Sequence, residues 1–126
     1  MRLALAMWLC LLSLPALGQG QILRSDGLQV TLQSQVQPPP LNQMHSWLIT
    51  LRSAAGVPLD GARITVDGGM PAHDHGLATR PEVTAEQGEG RYLLEGVRFH
   101  MAGDWLLQLQ IEHGGQVYHV DVALQL

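Results

Sequence analysis

The stretch WLLQLQI at residues 105–111 decides the fold class, because apolar residues occupy every second position in it. Such alternation is typical of a β-strand that buries one face. A glycine-rich turn, His113-Gly114-Gly115, follows, and the alternation returns at residues 117–126. Two alternating runs on either side of a short glycine turn predict two β-strands.

The same alternation recurs upstream, at residues 28–32, 45–51, 62–66 and 91–99. Turn-forming segments separate these runs, and no long segment shows a helical repeat. Six or seven strands in about a hundred residues predict an all-β fold, an immunoglobulin-like antiparallel β-sandwich. The predicted core consists of Trp47, Ile49, Leu51, Ile64, Val66, Tyr92, Leu94, Phe99, Trp105, Leu107, Leu109, Val120 and Val122.

The order of the runs predicts which histidines meet. We expect residues 47–52 to pair with residues 62–67 across the turn at 56–61, and residues 77–84 to run back as an edge strand. In that arrangement the turn at 100–103 reaches the same end of the sandwich as Met70. The start of the 45–51 strand lies at that end too, whereas the 113–115 turn lies at the opposite end.

Residues 1–18 have the features of a secretory signal peptide. A short basic start precedes an apolar run at residues 3–15, and Ala16-Leu17-Gly18 places small residues where signal peptidase reads them. We therefore expect cleavage after Gly18, one periplasmic or secreted domain over residues 19–126, and no insertion of that domain into the membrane. The alternative is an uncleaved membrane anchor, although the run is shorter than the roughly 20 residues that span a bilayer.

The predicted mature domain carries little reactive chemistry. The single cysteine, Cys10, lies in the signal, which excludes disulfides, thiolate metal sites and a cysteine nucleophile from the mature chain. After Gly18, six arginines stand against eleven Asp and Glu residues, a formal charge of about −5 with neutral histidines. This acidic balance argues against nucleic acid or an anionic membrane surface as a partner.

Imidazoles and thioethers gather in the segment Met70-Pro71-Ala72-His73-Asp74-His75-Gly76 and in the later pair His100-Met101. Imidazole binds both Cu(II) and Cu(I), and a thioether adds affinity mainly for the softer Cu(I). In an extended segment His73 and His75 leave the same face, with Asp74 pointing away. The pattern predicts a copper site, with Cu(I) favoured and Cu(II) possible. Its predicted ligands are Met70, His73, His75, His100 and Met101.

Several of these residues also have an ordinary structural interpretation, and the 70–76 segment fits a polar loop rich in histidine. Adjacent residues in a strand face opposite ways, so His100 and Met101 bind together only if a turn begins there. Otherwise Met101 packs in the core and His100 is exposed. Met44 and His45 are weaker candidate ligands, because a strand entrance often carries a surface histidine. A surface role is expected for two further histidines, His113 and His119.

Several segments together resemble the YtkA-like and FixH-like exported domains. They are NQMHSW at 42–47, GVPLDGA at 56–62, DGGMPAHDHG at 67–76, GRY at 90–92 and FHMAGDW at 99–105. The resemblance covers most of the predicted mature chain and is strongest at the Met-Pro-x-His-x-His-Gly segment. It implies a small β-sandwich linked to copper supply or respiratory oxidase assembly. A looser similarity to the periplasmic copper carriers CopC and PCuAC concerns only the use of His and Met on a β-sandwich.

Three functions are open on this basis. The first is a non-catalytic exported copper carrier or chaperone, which passes the ion by ligand exchange to a periplasmic copper acceptor or an oxidase assembly protein. The second is a metal-free immunoglobulin-like module that contacts an envelope partner. The third is a cupin-type metalloenzyme, which the sequence opposes because Glu82 lies too far after His75 and a second cupin motif is missing. We therefore do not expect an enzyme.

Overall fold

The computed structural model of the protein describes residues 21–25 and 27–126, with side chains from residue 27 onward. The predicted signal peptide lies outside the described residues. Nine strands and one short 3-10 helix, Pro71–His73, make up the described chain, and no helix in these ranges has the length and apolar character needed to cross a membrane. The strands are β1 (Gln21–Ser25), β2 (Leu28–Ser34), β3 (His45–Ser53), β4 (Arg63–Met70), β5 (His75–Gly76), β6 (Glu82–Gly88), β7 (Arg91–Val97), β8 (Asp104–His113) and β9 (Gln116–Gln125).

The strands pair antiparallel in the order β1-β2-β3-β7-β6-β4-β8-β9, and β5 pairs with β4. A single residue pair, Thr65 with Glu82, joins β4 to β6, so the sheet turns sharply there. Strand β1, at one end of the path, also contacts β9 at the other end. The curled sheet therefore encloses one core between β1-β2-β3-β7-β6 and β4-β8-β9, and the predicted all-β sandwich is confirmed.

Burial follows the alternation of the sequence. In β8, Trp105, Leu107, Leu109 and Ile111 are buried while the intervening glutamines are exposed. Each of the six alternating runs overlaps a strand, and the structure adds β1 and β5. Every predicted core residue is buried except Val66, which is half-buried and packs against the core.

The predicted hairpin between residues 47–52 and 62–67 is wrong. Strand β3 pairs with β2 and β7, whereas β4 lies in the other layer beside β8. Any antiparallel neighbour satisfies the backbone hydrogen bonds of a strand, so the local pattern does not select the partner. The predicted edge strand at 77–84 is also wrong over residues 77–81, because β6 begins at Glu82.

One end of the sandwich collects the ends of four strands. His45, which begins β3, pairs with Val97 at the end of β7, and Gly69 near the end of β4 pairs with Leu106 near the start of β8. His113 ends β8 at the opposite end of the molecule. The predicted grouping of the 70–76 and 100–103 segments, away from His113, is therefore confirmed.

Candidate functional site

The chain folds back after β4 as a tight hairpin that carries two of the predicted ligands. Strand β4 ends at Met70, and Pro71 begins the 3-10 helix, where its fixed φ suits the first helical position. Asp74 adopts a left-handed conformation (φ 52°, ψ 37°), which aspartate tolerates, and His75 then pairs back with Met70. A Cβ at Gly69 would collide with the carbonyl oxygen of His75, so this close return requires glycine.

Three imidazole rings lie next to one another at this hairpin. The rings of His73 and His75 have centroids 6.3 Å apart and planes inclined by 22°, although a turn replaces the extended segment that we predicted. The ring of His100 lies 5.9 Å from that of His75, at 84°. Two imidazoles that bind one ion at about 2 Å have centroids roughly 4.5 to 6.5 Å apart, and both pairs fall in this range.

His100 sits in a partly buried position at the start of the turn between β7 and β8. Its ring meets that of Trp105 edge to face, with centroids 5.2 Å apart, and the Trp105 indole N–H donates to the Met101 carbonyl at 3.0 Å. The Nδ1 atom of His100 is buried and has no hydrogen-bond partner among the described residues. A buried polar atom of this kind is costly unless something binds it. This nitrogen therefore fits a ligand position.

Two hydrogen bonds hold the segment after His75 in place. The Leu77 N–H donates to the Gly68 carbonyl at 3.1 Å, and the Thr79 hydroxyl donates to the Gly96 carbonyl at 2.5 Å. Gly96 lies on β7, the strand that leads to His100. Thr79 therefore helps to bring His75 and His100 together. Sequence reasoning missed this residue, since a threonine in a loop carries no motif.

The methionines do not surround the imidazoles as a set. Met70 is 1% exposed and belongs to the core, where its methyl carbon would lie 2.6 Å from a Cβ at Gly103. Met101 is 38% exposed beside His100, so it does not pack in the core. Met44 is 59% exposed just before β3.

His45 is a structural residue rather than an open ligand. The ring is buried, and its Nε2 accepts a hydrogen bond from the Trp47 indole N–H at 3.0 Å. Its Nδ1 therefore carries the proton and donates to the Gln43 carbonyl at 2.9 Å. Both ring nitrogens are used, and the Phe99 ring packs against the imidazole with centroids 5.7 Å apart. The weak expectation that His45 binds metal is not supported by this geometry.

The two remaining histidines lie apart from the three-ring group. The Nε2 of His113 is 3.0 Å from the Asp60 carbonyl, which accepts its hydrogen, and this contact ties the β8–β9 turn to the loop before β4. His119 is exposed on β9 opposite Gln110. Both serve as controls for the site.

The imidazole group is not assembled as a finished metal site. Across the described residues, no group of three or more His, Cys, Asp or Glu side chains is placed to hold one metal ion. His73, His75 and His100 instead form two adjoining pairs that share His75. An open groove of about 350 Å³, lined by Pro71, Asp74, His75 and Leu106 among others, gives solvent access to the hairpin.

Two solved structures illustrate that other proteins share this fold. One is a DUF4426 family protein from Pseudomonas aeruginosa PAO1, with a TM-score of 0.62 and 12% sequence identity over 85% of this chain and 94% of that chain. The other is FetP of uropathogenic Escherichia coli strain F11, expressed recombinantly in the periplasm, with a TM-score of 0.60 and 8% identity over 86% of this chain and 93% of that chain. At these identities the likeness concerns the fold alone.

Comparison with curated proteins gave no match. The profile of the family described as YtkA-like matches residues 23–110, which include the hairpin after β4, His100 and Trp105. This match covers well over half of the sequence. The chain therefore belongs to the YtkA-like family.

Proposed function

We propose that the protein is an exported, non-catalytic copper carrier that holds one copper ion with His73, His75 and His100. The observation that carries the proposal is the pair of imidazole contacts, 6.3 and 5.9 Å between ring centroids, beside the buried and unpartnered Nδ1 of His100. The resemblance to copper-supply domains agrees with it. No catalytic step is part of this function.

The three imidazoles differ in exposure, and this difference sets the order in which they bind and release the copper ion. His73 and His75 are exposed and meet the incoming ion, while His100 is partly buried against Trp105. A donor from a periplasmic copper acceptor or oxidase assembly protein displaces the exposed imidazoles first. Met101, exposed beside His100, supplies a thioether that favours Cu(I), whereas imidazoles alone also accept Cu(II).

The proposed compartment is the periplasm, which the signal-like residues 1–18 support. Cell fractionation with N-terminal sequencing tests it. A chain that begins at Gln19 in the periplasmic fraction is the expected result. A chain retained in the membrane fraction with Met1 intact would favour the anchored alternative.

Competition against a chromophoric Cu(I) chelator tests the site. The purified wild-type protein should bind close to one ion, and His75→Ala and His100→Ala should each weaken binding more than the 10 to 100-fold expected for a residue outside the coordination sphere. His113→Ala and His119→Ala are the matched controls and should bind like the wild type. Equal affinity of the wild type and the His73→Ala, His75→Ala double variant would contradict the assignment.

The pH dependence of binding separates imidazole ligands from thioether ligands. An imidazole must lose its proton to coordinate a metal, so the copper affinity should fall steeply as the medium is acidified from about pH 7 to about pH 5. Thioethers do not titrate in this range. An affinity that stays flat would mean that methionines hold the ion without the histidines.

A metal-free interaction module is the second candidate, because the described residues contain no preassembled group of three His, Cys, Asp or Glu ligands. The same titration decides between the two functions. Wild-type protein that binds no Cu(I) or Cu(II) above the level of a nonspecific control would support the module and reject the carrier.

A further inference from the structure

We infer that Met70 is a positioning residue for the imidazole group and not a copper ligand. This inference rests on the proposed copper site, and it changes the role that the sequence pattern gives to the methionine of the Met-Pro-x-His-x-His-Gly segment. A buried thioether that locks two ligand segments together sets the geometry of the site through packing.

Met70 contacts both of the segments that carry imidazoles. Its backbone pairs with His75 across the β4–β5 hairpin. Its methyl group reaches the turn that follows His100, where a Cβ at Gly103 would lie only 2.6 Å from the methyl carbon. The side chain is 1% exposed, so it fills the space between hairpin and turn.

The turn that Met70 contacts is itself fixed on its other sides. Gly103 exchanges two backbone hydrogen bonds of 2.9 Å with Leu126, and the Met101 carbonyl accepts the Trp105 indole N–H. The φ of Gly103 is +135°, a conformation that residues with a Cβ rarely adopt. With the turn held rigid in this way, the Met70 methyl sets how closely the hairpin approaches it. That approach determines the contact between the His75 and His100 rings.

Four proteins test this role: the wild type, Met70→Ala, Met70→Leu and the control Ile111→Ala. Leucine fills a similar volume without sulfur. Ile111 is equally buried but lies near the opposite end of β8, so its truncation weakens the core without touching the site. Cu(I) affinity is measured for each protein, alongside its unfolding free energy.

The expected copper affinities separate packing from coordination. Met70→Ala should bind about 10 to 100-fold more weakly than the wild type, the range for residues that orient ligands, and Met70→Leu should recover most of the loss. Ile111→Ala should lose stability without losing affinity. If Met70→Leu binds as weakly as Met70→Ala, the thioether is a ligand and the inference is wrong.

A second measurement uses the metal-free protein, so it stands even if the copper proposal fails. Nuclear Overhauser contacts between the His75 and His100 ring protons should be present in the wild type, Met70→Leu and Ile111→Ala, and lost in Met70→Ala. Persistence of these contacts in Met70→Ala would overturn the positioning role. A wild-type protein that shows the contacts but binds no copper would reject the carrier function alone.

Discussion

At the scale of single residues, hydrogen bonding distinguishes His45 from His100, although both are candidate metal ligands in the sequence. His45 and His100 lie on either side of the Phe99 and Trp105 rings at one end of the sandwich. Both ring nitrogens of His45 have partners, whereas Nδ1 of His100 has none among the described residues. An imidazole with both nitrogens occupied stabilises the fold, whereas a buried nitrogen without a partner is costly unless a ligand binds it.

The His45→Ala variant should therefore lose stability and keep its copper affinity. It leaves the buried Trp47 indole N–H without its acceptor, which costs about 1 to 3 kcal/mol. Urea denaturation followed by tryptophan fluorescence measures the loss, and the chelator competition measures the affinity. The control is Met44→Ala, where an exposed side chain is removed and both quantities should stay unchanged. A large loss of copper affinity in His45→Ala would restore His45 as a ligand.

At the scale of elements, a hydrogen bond between the loop that follows His75 and strand β7 keeps these two segments together. The Thr79 hydroxyl donates to the Gly96 carbonyl. Thr79 lies four residues after His75, and Gly96 lies four residues before His100. Thr79→Val keeps the shape and removes the hydroxyl. We expect a loss of about tenfold in copper affinity, with a small change in stability, because the ligand segment loosens while the core is intact.

Thr84→Val is the matched control for that variant. The Thr84 hydroxyl donates to the Glu95 carboxylate at 2.6 Å, so this substitution also removes one side-chain hydrogen bond, but between exposed side chains of β6 and β7. It should bind copper like the wild type. Equal affinities for Thr79→Val and Thr84→Val would show that the Thr79 contact does not position the site.

A second element-scale contact ties the link between β3 and β4 to the core. The Tyr92 hydroxyl accepts the Ala62 N–H at 3.0 Å and donates to the Leu59 carbonyl at 2.7 Å. Burial raises the pKa of this hydroxyl, and the nearby carboxylates of Glu86 and Asp60 raise it further, against the lowering effect of the Ala62 bond. The folded protein therefore holds the Tyr92 proton more tightly than the unfolded chain does.

The sign of the pH effect follows from this raised pKa. The stabilisation is complete below the ordinary tyrosine pKa of about 10 and is lost as the pH rises through the folded-state value. The urea midpoint of the wild type should fall as the pH rises above about 10, and the part of this fall that is due to Tyr92 should be missing in Tyr92→Phe. At neutral pH, Tyr92→Phe should be less stable than the wild type by about 1 to 3 kcal/mol. Parallel decline of both proteins would show that Tyr92 is not the group responsible.

At the scale of the whole molecule, the proposed copper site bridges the two layers of the sandwich. His73 and His75 follow β4 of one layer, and His100 follows β7 of the other. An ion held by all three stabilises the folded state by mass action, by about 2.7 kcal/mol when free copper is 100 times its dissociation constant. Thermal unfolding with and without copper measures the effect. His75→Ala should lose it and His119→Ala should keep it; a shift of equal size in both variants would place the ion elsewhere.

The sequence alone determined six of the nine described strands, the fold class and the residue types of the candidate site. Alternation such as that of residues 105–111 is a local property, since burial of one strand face requires apolar residues at every second position. The proximity of His73 and His75 is also local, because only Asp74 separates them however the backbone bends. The absence of cysteine after Cys10 is read directly from the chain.

Only the tertiary structure decided which strands pair and which candidate ligands are available. Every antiparallel partner offers β3 the same backbone hydrogen bonds, so packing of distant residues placed it beside β7 rather than β4. The burial of Met70 against Gly103 and the packing of the His45 ring on Phe99 likewise depend on residues far away in the sequence, whereas the two hydrogen-bond partners of His45 lie only two residues from it. The packing around a side chain is a non-local property, and for this reason the sequence named the residue types of the proposed copper site without separating proposed ligands from supports.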